Sequence, residues 1–509
     1  MTQGEIEKLT VKVSNIFSEL EVRIMTDIVR RIKENGFASA SVDWQISRLQ
    51  QLGMAEEDIR GWIQSALQAT DAEMDRIFSD EVYKQYYEQE HFFKLARMQQ
   101  IPLEENFVLQ QLIKATKKQL QGEYKNLTSS MGFAIRNPAT GKIQSSPLMD
   151  YYRSTMDQAV IDIKSGAFDY NTVLKRTVNQ MTASGLRYIE YDSGHRDRID
   201  VVARRAILTG FRQVQSQIME QVAEQLGTDT FEVSYHVGAR PTHQPWQGKV
   251  WTRQELVSVC GLGEVTGLKG INCYHDYKPF PPGSVRTYTD EQLRKMLDAE
   301  NTPKEYNGKQ CTTYEALQQQ RKMERGMRAQ RQKIKLLQEG GADEQKIILA
   351  KAKYQGQIQT YKDFSEKMKL PEQKARIMQD GLKGKFMPTK AEQKVLEESA
   401  INDKIKAELS EAKINPDKID VSKFTFDNSH INEVREHGVT RAEAEQFIKE
   451  SDISLTRWNG RFINYYGPNG ATYVDTENNN IRTAFKKEQF DAPTLKIREV
   501  AEKYGIKKD

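Results

Sequence analysis

Along the first 230 residues, apolar positions recur every three or four residues. Ile6, Leu9, Val13, Ile16 and Leu20 fall on one stripe of a 3.6-residue helix, which predicts an amphipathic helix from the start of the chain. Ser41 before VDWQISRLQQLG and Asp80 before EVYKQYYEQEHFFKLARMQQ have N-cap chemistry, with Gly53 and Pro102 placed to end or follow those helices. The run IDVVARRAILTGFRQVQSQIMEQVAEQLG carries the strongest helical pattern, and Gly227 is its stop.

Between 231 and 290 the pattern changes to β-branched and aromatic residues, FEVSYHV and KVW, separated by Pro, Gly and Asn turns. A small β-rich α/β insert is expected there. Beyond it, Ala316, Met323, Gln330 and Leu337 repeat at seven, interleaved with Gln320, Met327 and Ile334. This reads as a helical hairpin or coiled-coil arm over 291–370, broken at Gly340-Gly341. Its segment QQQRKMERGMRAQRQKIK sets seven basic residues against Glu324. Such a run is either a solvated helix face or a nucleic-acid contact.

Residues 371–420 are polar and lysine-rich and read as a tether to a last domain, 421–509. There a Thr440/Glu443 capping box, then turns at Asn459-Gly460, GPNG (467–470) and ENNN (477–480), predict two helices followed by a four-stranded antiparallel meander. The expected architecture is multidomain and mainly α: a helical body (1–230), the insert, the arm, the tether and a C-terminal α+β domain.

Composition narrows the reading. With 75 Lys plus Arg against 71 acids in 509 residues, the net charge of +4 excludes a globally basic nucleic-acid binder, so any basic patch is local. Three cysteines, at 260, 273 and 311, are too few for a disulfide scaffold and point to a reducing cytoplasm. The first residues have no basic and apolar leader, and no run approaches the roughly 18 apolar residues of a membrane span. No secretion by the usual route and no membrane partner are therefore expected.

The insert concentrates metal-capable side chains. His236 and His243 lie upstream, Cys273 and His275 downstream, with Cys260 between. Imidazole and thiolate suit a tetrahedral structural zinc, which would staple an insert too small for its own core. H-x6-H and C-x-H are not finger spacings, so polar loop packing among aromatics is the alternative reading.

The runs HVGARPTHQPWQGKVW and CGLGEVTGLKGINCYHDYKPFPPG, flanked by YDSGHRDRIDVVARRAILTG and YEALQQQRKMERGMRAQRQKIKLL, closely resemble phage minor capsid proteins of the "minor capsid protein 2" type, related to the Mu F-like head morphogenesis proteins. The resemblance spans roughly residues 1 to 370. It implies a low-copy component of the phage head, made in the host cytoplasm and associated with the portal. Portal and major capsid proteins are the implied partners, with phage DNA a further one, and the body is non-enzymatic.

The last ninety residues are similar to the barnase/EndoU/colicin/RelE-like nuclease fold, carried by FTFDNSHINEVREHGVTRAEAEQFIKESDI and VDTENNNIRTAFKK. A ribonuclease that requires no cofactor needs a base for the 2′-hydroxyl, an acid for the leaving oxygen, and cations or hydroxyls on the phosphate. His430, Arg457 and Thr483 are the favoured catalytic residues, with Lys486 and Tyr465 behind them. Thr483 and Lys486 cannot share a face of a regular strand, so a twist or bulge is required. Residues 421–509 balance 14 basic against 14 acidic residues, so recognition of RNA would be local. An immunity protein is the partner such a toxin domain would imply. The competing reading is a purely structural protein whose last domain binds RNA or a host protein.

Overall fold

A computed structural model describes residues 3–36, 43–136, 140–190, 196–397, 412–458 and 460–504. The chain forms two compact units, Met1–Met387 and Pro388–Asp509.

The first unit is built on long helices. In α1 (Gln3–Gly36) the predicted stripe is buried at Ile6, Leu9, Val13 and Leu20, and it continues through Phe17, Ile24 and Ile28. Each such side chain contributes about 1.5–3 kcal/mol on burial, which makes α1 a core element. Helix α2 (Asp43–Arg76) passes straight through Gly53 and runs by a π-helical turn, Ile77–Glu81, into Val82–Tyr87. Gly53 therefore ends nothing and Asp80 caps nothing. The apolar stripe Ile77, Phe78, Val82 and Tyr86 is buried across the junction. Around Gly53 itself, the burial of Ala55 and Ile59 outweighs the roughly 1 kcal/mol penalty of a mid-helix glycine. Ser41 lies outside the described residues.

The body also holds a small sheet that the helical pattern hid: β1 (Met131–Arg136) pairs with β2 (Ile143–Pro147) and β3 (Leu186–Tyr188). Helix α3 (Ile199–Gln225) ends as expected, with Gly227 at φ +63° and the Thr228 amide donating to the Ala223 carbonyl at 3.0 Å. It is followed by the expected insert, in which β4 (Thr230–Val233) pairs with β5 (Val250–Thr252) and β6 (Tyr277–Pro279).

A further short hairpin, β7 (Lys304–Tyr306) and β8 (Lys309–Cys311), precedes the helical hairpin of α4 (Thr313–Glu339) and α5 (Glu344–Met368), which breaks at Gly340-Gly341. Ala316, Gln320, Met327, Gln330, Ile334 and Leu337 are all buried, so the heptad seam is real. It is not a projecting coiled-coil arm, however. Gln332 donates to Glu21 of α1 at 3.1 Å, and Arg331, 4% exposed, pairs with Asp380 at 2.7 Å. The hairpin buries two faces and belongs to the body core. The expected tether fares similarly. Ile377 and Phe386 join that core, while Ala412–Ile414 forms β9 in the second unit.

The second unit is a six-stranded sheet rather than the expected four, ordered β10-β14-β13-β12-β11-β9. The meander is β11 (Ile453–Arg457), β12 (Phe462–Tyr466), β13 (Gly470–Asp475) and β14 (Asn480–Lys486). The GPNG and ENNN turns join strands as expected; Asn459 lies outside the described residues. The extra edge strands, β9 and β10 (Thr425–Phe426, parallel to β14), are too short to show a period of two.

The expected first helix is a single π-helical turn, Ser429–Val434, and α6 (Arg441–Glu450) starts at the predicted Thr440/Glu443 box. A third helix, α7 (Ala492–Tyr504), was not predicted. The π-turn and α6 cover one sheet face through Ile431, Phe447 and Ile448; α7 covers part of the other through Ile497 and Val500. Among the described residues, no helix is long and apolar enough to cross a membrane.

Candidate functional site

The insert is tied to the body before its histidines are placed. Arg212 of α3 is buried and donates to the carbonyls of Lys269, Gly270 and Cys273. Lys269 and Asp276 form an ion pair of 2.8 Å, both nearly inaccessible, and Gln215 of α3 bridges the pair by bonding each partner. Burial alone would raise the Asp276 carboxyl, but the Lys269 charge holds it down at about 2. The chain between can turn tightly because Gly267 has no side chain: a Cβ there would stand 1.9 Å from the Gly261 carbonyl oxygen. Gly270 is held by the same constraint, since a Cβ there would stand 2.4 Å from the Val265 carbonyl oxygen, while Gly261 and Gly263 take positive φ.

On that scaffold His243, Cys273 and His275 converge, all buried, with ligand atoms within 4.8 Å of one another. His243 Nδ1 lies 3.3 Å from His275 Nδ1, and Cys273 Sγ lies 3.4 Å from the same nitrogen. His243 Nε2 is 2.8 Å from the Thr266 carbonyl oxygen, which can only accept, so this nitrogen carries the proton. His275 Nε2 is 2.9 Å from Gln247 Oε1. That oxygen also accepts the His236 amide at 3.2 Å, which fixes the Gln247 orientation and makes His275 Nε2 a donor too. Both Nδ1 lone pairs therefore face each other. Trp246 closes the cluster, with its ring 4.5 Å from that of His243 and 4.7 Å from that of His275.

His236 stands apart from this set. Its ring lies 4.2 Å from that of His275, its Nδ1 faces the Val237 carbonyl, and it is not among the convergent ligand atoms. Burial pushes its pKa down to about 4 and lowers those of His243 and His275. Cys260 is buried elsewhere in the core, where burial raises its thiol to about 12. Gln247, Thr266 and Arg212, which orient the cluster, carry no signal in the sequence. Their role depends on contacts across loops.

The second cluster lies on the sheet of the C-terminal unit. Strand register puts Thr483, Tyr473, Asn464 and Leu455 in one row across β14, β13, β12 and β11. Arg457, two residues beyond Leu455, projects from the same face. Thr483 and Arg457 thus share a face but stand three strands apart, about 14 Å across the sheet.

Lys486 and Tyr465 are on the opposite face. The bulge falls at Tyr473/Val474, before Thr483, and the register from Thr483 to Lys486 is regular. Lys486 pairs with Glu443 of α6 at 3.2 Å, and Tyr465 is buried with its hydroxyl donating to the Asp417 carbonyl at 3.0 Å. These two therefore do not join the Thr483 face.

His430 sits at the π-turn, its amide bonded to Asp427 at 3.1 Å. The chain then reverses, with Glu436 and Gly438 at positive φ and the His437 amide donating to the Ile431 carbonyl. This brings His437 back over the turn, within electrostatic reach of His430. The His437 ring lies 5.6 Å from that of Phe485, which shares the Thr483 face, and burial together with Arg435 and His430 lowers its pKa. Next to Thr483 in the row, burial raises the Tyr473 hydroxyl against the pull of Arg457.

Comparison with curated proteins and with solved structures finds no match. The family model described as Phage minor capsid protein 2 matches residues 1–366 of the 509, which covers the helical body, the histidine-cysteine insert and almost all of the α4–α5 hairpin. The chain belongs to the phage minor capsid protein 2 family.

Proposed function

We propose that this minor capsid protein is a portal-associated component of the phage head, assembled in the host cytoplasm against portal and major capsid proteins and close to the packaged DNA. We propose further that its C-terminal unit is a metal-independent endoribonuclease. The observation that carries the second reading is the shared sheet face: Thr483 and Arg457 project from it, and His437, within electrostatic reach of His430, borders its Phe485 end.

In that reading an imidazole takes the proton of an RNA 2′-hydroxyl, the 2′-oxygen bonds to phosphorus, and the bond from phosphorus to the 5′-oxygen breaks. The leaving 5′-oxygen receives a proton, and the product keeps a 2′,3′-cyclic phosphate. Thr483 donates to the reacting phosphate. Arg457, some 14 Å away across the strands, engages a flanking phosphate. Toxic action of this kind implies a protective immunity protein. One observation favours binding without cleavage: Lys486 is engaged by Glu443 on the opposite face, which leaves the Thr483 face without that cation.

Two measurements test the readings separately. Mass spectrometry of purified particles should find the chain in heads at low copy, and its confinement to the infected-cell cytosol would remove the head assignment. The full-length chain, in excess chelator, should cut RNA to products ending in 2′,3′-cyclic phosphate. RNA retained but uncut would leave the binding reading in place of the enzyme.

A further inference from the structure

We infer that His243, Cys273 and His275 form a three-ligand metal site of the zinc class, whose fourth coordination position opens on an arginine-lined cavity and takes an oxygen donor from outside the chain. Tetrahedral ligation with metal–nitrogen bonds near 2.0 Å and metal–sulfur bonds near 2.3 Å places two nitrogens about 3.3 Å apart and nitrogen and sulfur about 3.6 Å apart. The observed separations are 3.3 and 3.4 Å. Two edges of the ligand triangle are therefore already at metal-binding dimensions, and the third, between His243 and Cys273, lies within 4.8 Å.

Hydrogen bonding reinforces this. Both imidazoles give their Nε2 protons away, to Thr266 and to Gln247, and so turn two lone pairs towards the same point in a buried pocket. Opposed lone pairs at that distance repel unless a cation lies between them, and second-shell acceptors of this type orient metal-bound histidines. The Cys273 sulfur completes a soft and borderline donor set that selects zinc over magnesium or calcium.

The fourth vertex is not His236. A tetrahedral ligand must come within about 3.6 Å of each of the other three, and His236 has no nitrogen in the convergent group. Instead, His243 and Cys273 line a cavity of about 510 Å³ bordered by α1, α3, the insert, α4 and the segment Arg376–Gln379. Its wall carries six arginines, Arg204, Arg321 and Arg325 among them, against three carboxylates, Glu7, Asp200 and Glu324. The excess of three positive charges favours an anionic oxygen ligand, a carboxylate or phosphate, at the open position. This differs from a closed structural zinc, and it is independent of the nuclease reading because it concerns the other unit.

The test uses the full chain reconstituted with cobalt(II), whose visible spectrum reports coordination. About one equivalent of metal should bind, with a sulfur-to-cobalt charge-transfer band that Cys273→Ser removes. His236→Ala should bind the same amount, and titration with azide or inorganic phosphate should shift the visible bands. A folded wild-type chain that takes up no metal overturns the site outright. Loss of binding in His236→Ala overturns the ligand set. A spectrum indifferent to both anions overturns the open position. Because the wild-type spectrum alone decides the first and last outcomes, neither depends on how the variants fold.

Discussion

The two clusters differ in how their side chains are held. In the insert, His243, Cys273 and His275 are buried, each nitrogen has an assigned role, and a buried ion pair and an arginine from α3 brace the loops beneath. On the C-terminal sheet, Arg457 is exposed, Thr483 lies three strands away, and His437 reaches the Phe485 end of the face from the turn that follows the π-helical segment. Fixed convergence suits a metal or a tightly held ligand. A spread of groups along a face suits a chain-like substrate that contacts several points at once.

The largest effect that separates the two regions should come from removing the brace. Lys269→Met leaves the Asp276 carboxylate buried without its cation, and such losses cost about 3–5 kcal/mol. Urea unfolding of the full chain should show the first unit's transition move to lower denaturant while the second stays in place. Equal shifts in both would mean that the units are not independent.

Acid should act next, and on the same unit. His236 has a folded-state pKa of about 4 against an ordinary 6.5, so the unfolded chain binds that proton first as pH falls. Stability is fully present above 6.5 and is lost as pH drops towards 4, by about 3 kcal/mol. Denaturation midpoints measured across this window should fall, and His236→Gln should flatten the slope.

On the sheet face the effects are on rate. His430→Ala should lower RNA cleavage about a hundredfold in kcat if the imidazole moves the proton. Arg457→Ala should instead raise KM, by about tenfold, because a flanking phosphate contact contributes to binding more than to the transition state. A collapse of kcat in Arg457→Ala would place the arginine at the scissile phosphate and contradict the spacing drawn from the register.

The smallest effect is expected for Lys486→Ala. Its partner Glu443 is on the opposite face and the pair is well exposed, so cleavage should change less than about twofold and stability by under 1 kcal/mol.

Much of the helical framework was legible in periodicity. The stripe on α1, the stop at Gly227, the break at Gly340-Gly341 and the Thr440 box all fall where local chemistry put them. Local signals failed where long-range burial overruled them. Gly53 did not end a helix and Asp80 did not cap one, because a continuous apolar stripe carries the helix past both. The heptad seam was correct and its setting was not: Arg331 and Gln332 look like solvent-facing residues until Asp380 and Glu21 arrive from other parts of the chain. Strands of two or three residues gave no period to read.

Family membership, the order of the elements and the presence of a histidine-cysteine cluster were determined by the sequence itself, since motifs, caps and repeats are local and survive in one dimension. Which histidines converge, which face Thr483 shares with Arg457, and where Lys486 and Tyr465 point were decided only by the tertiary structure. A strand changes face with every residue, so a single bulge before Thr483 settles what its neighbours oppose. In the insert, the same holds for His236 and His243: their spacing is equally suggestive, but only the folded loops bring one of them to Cys273 and His275.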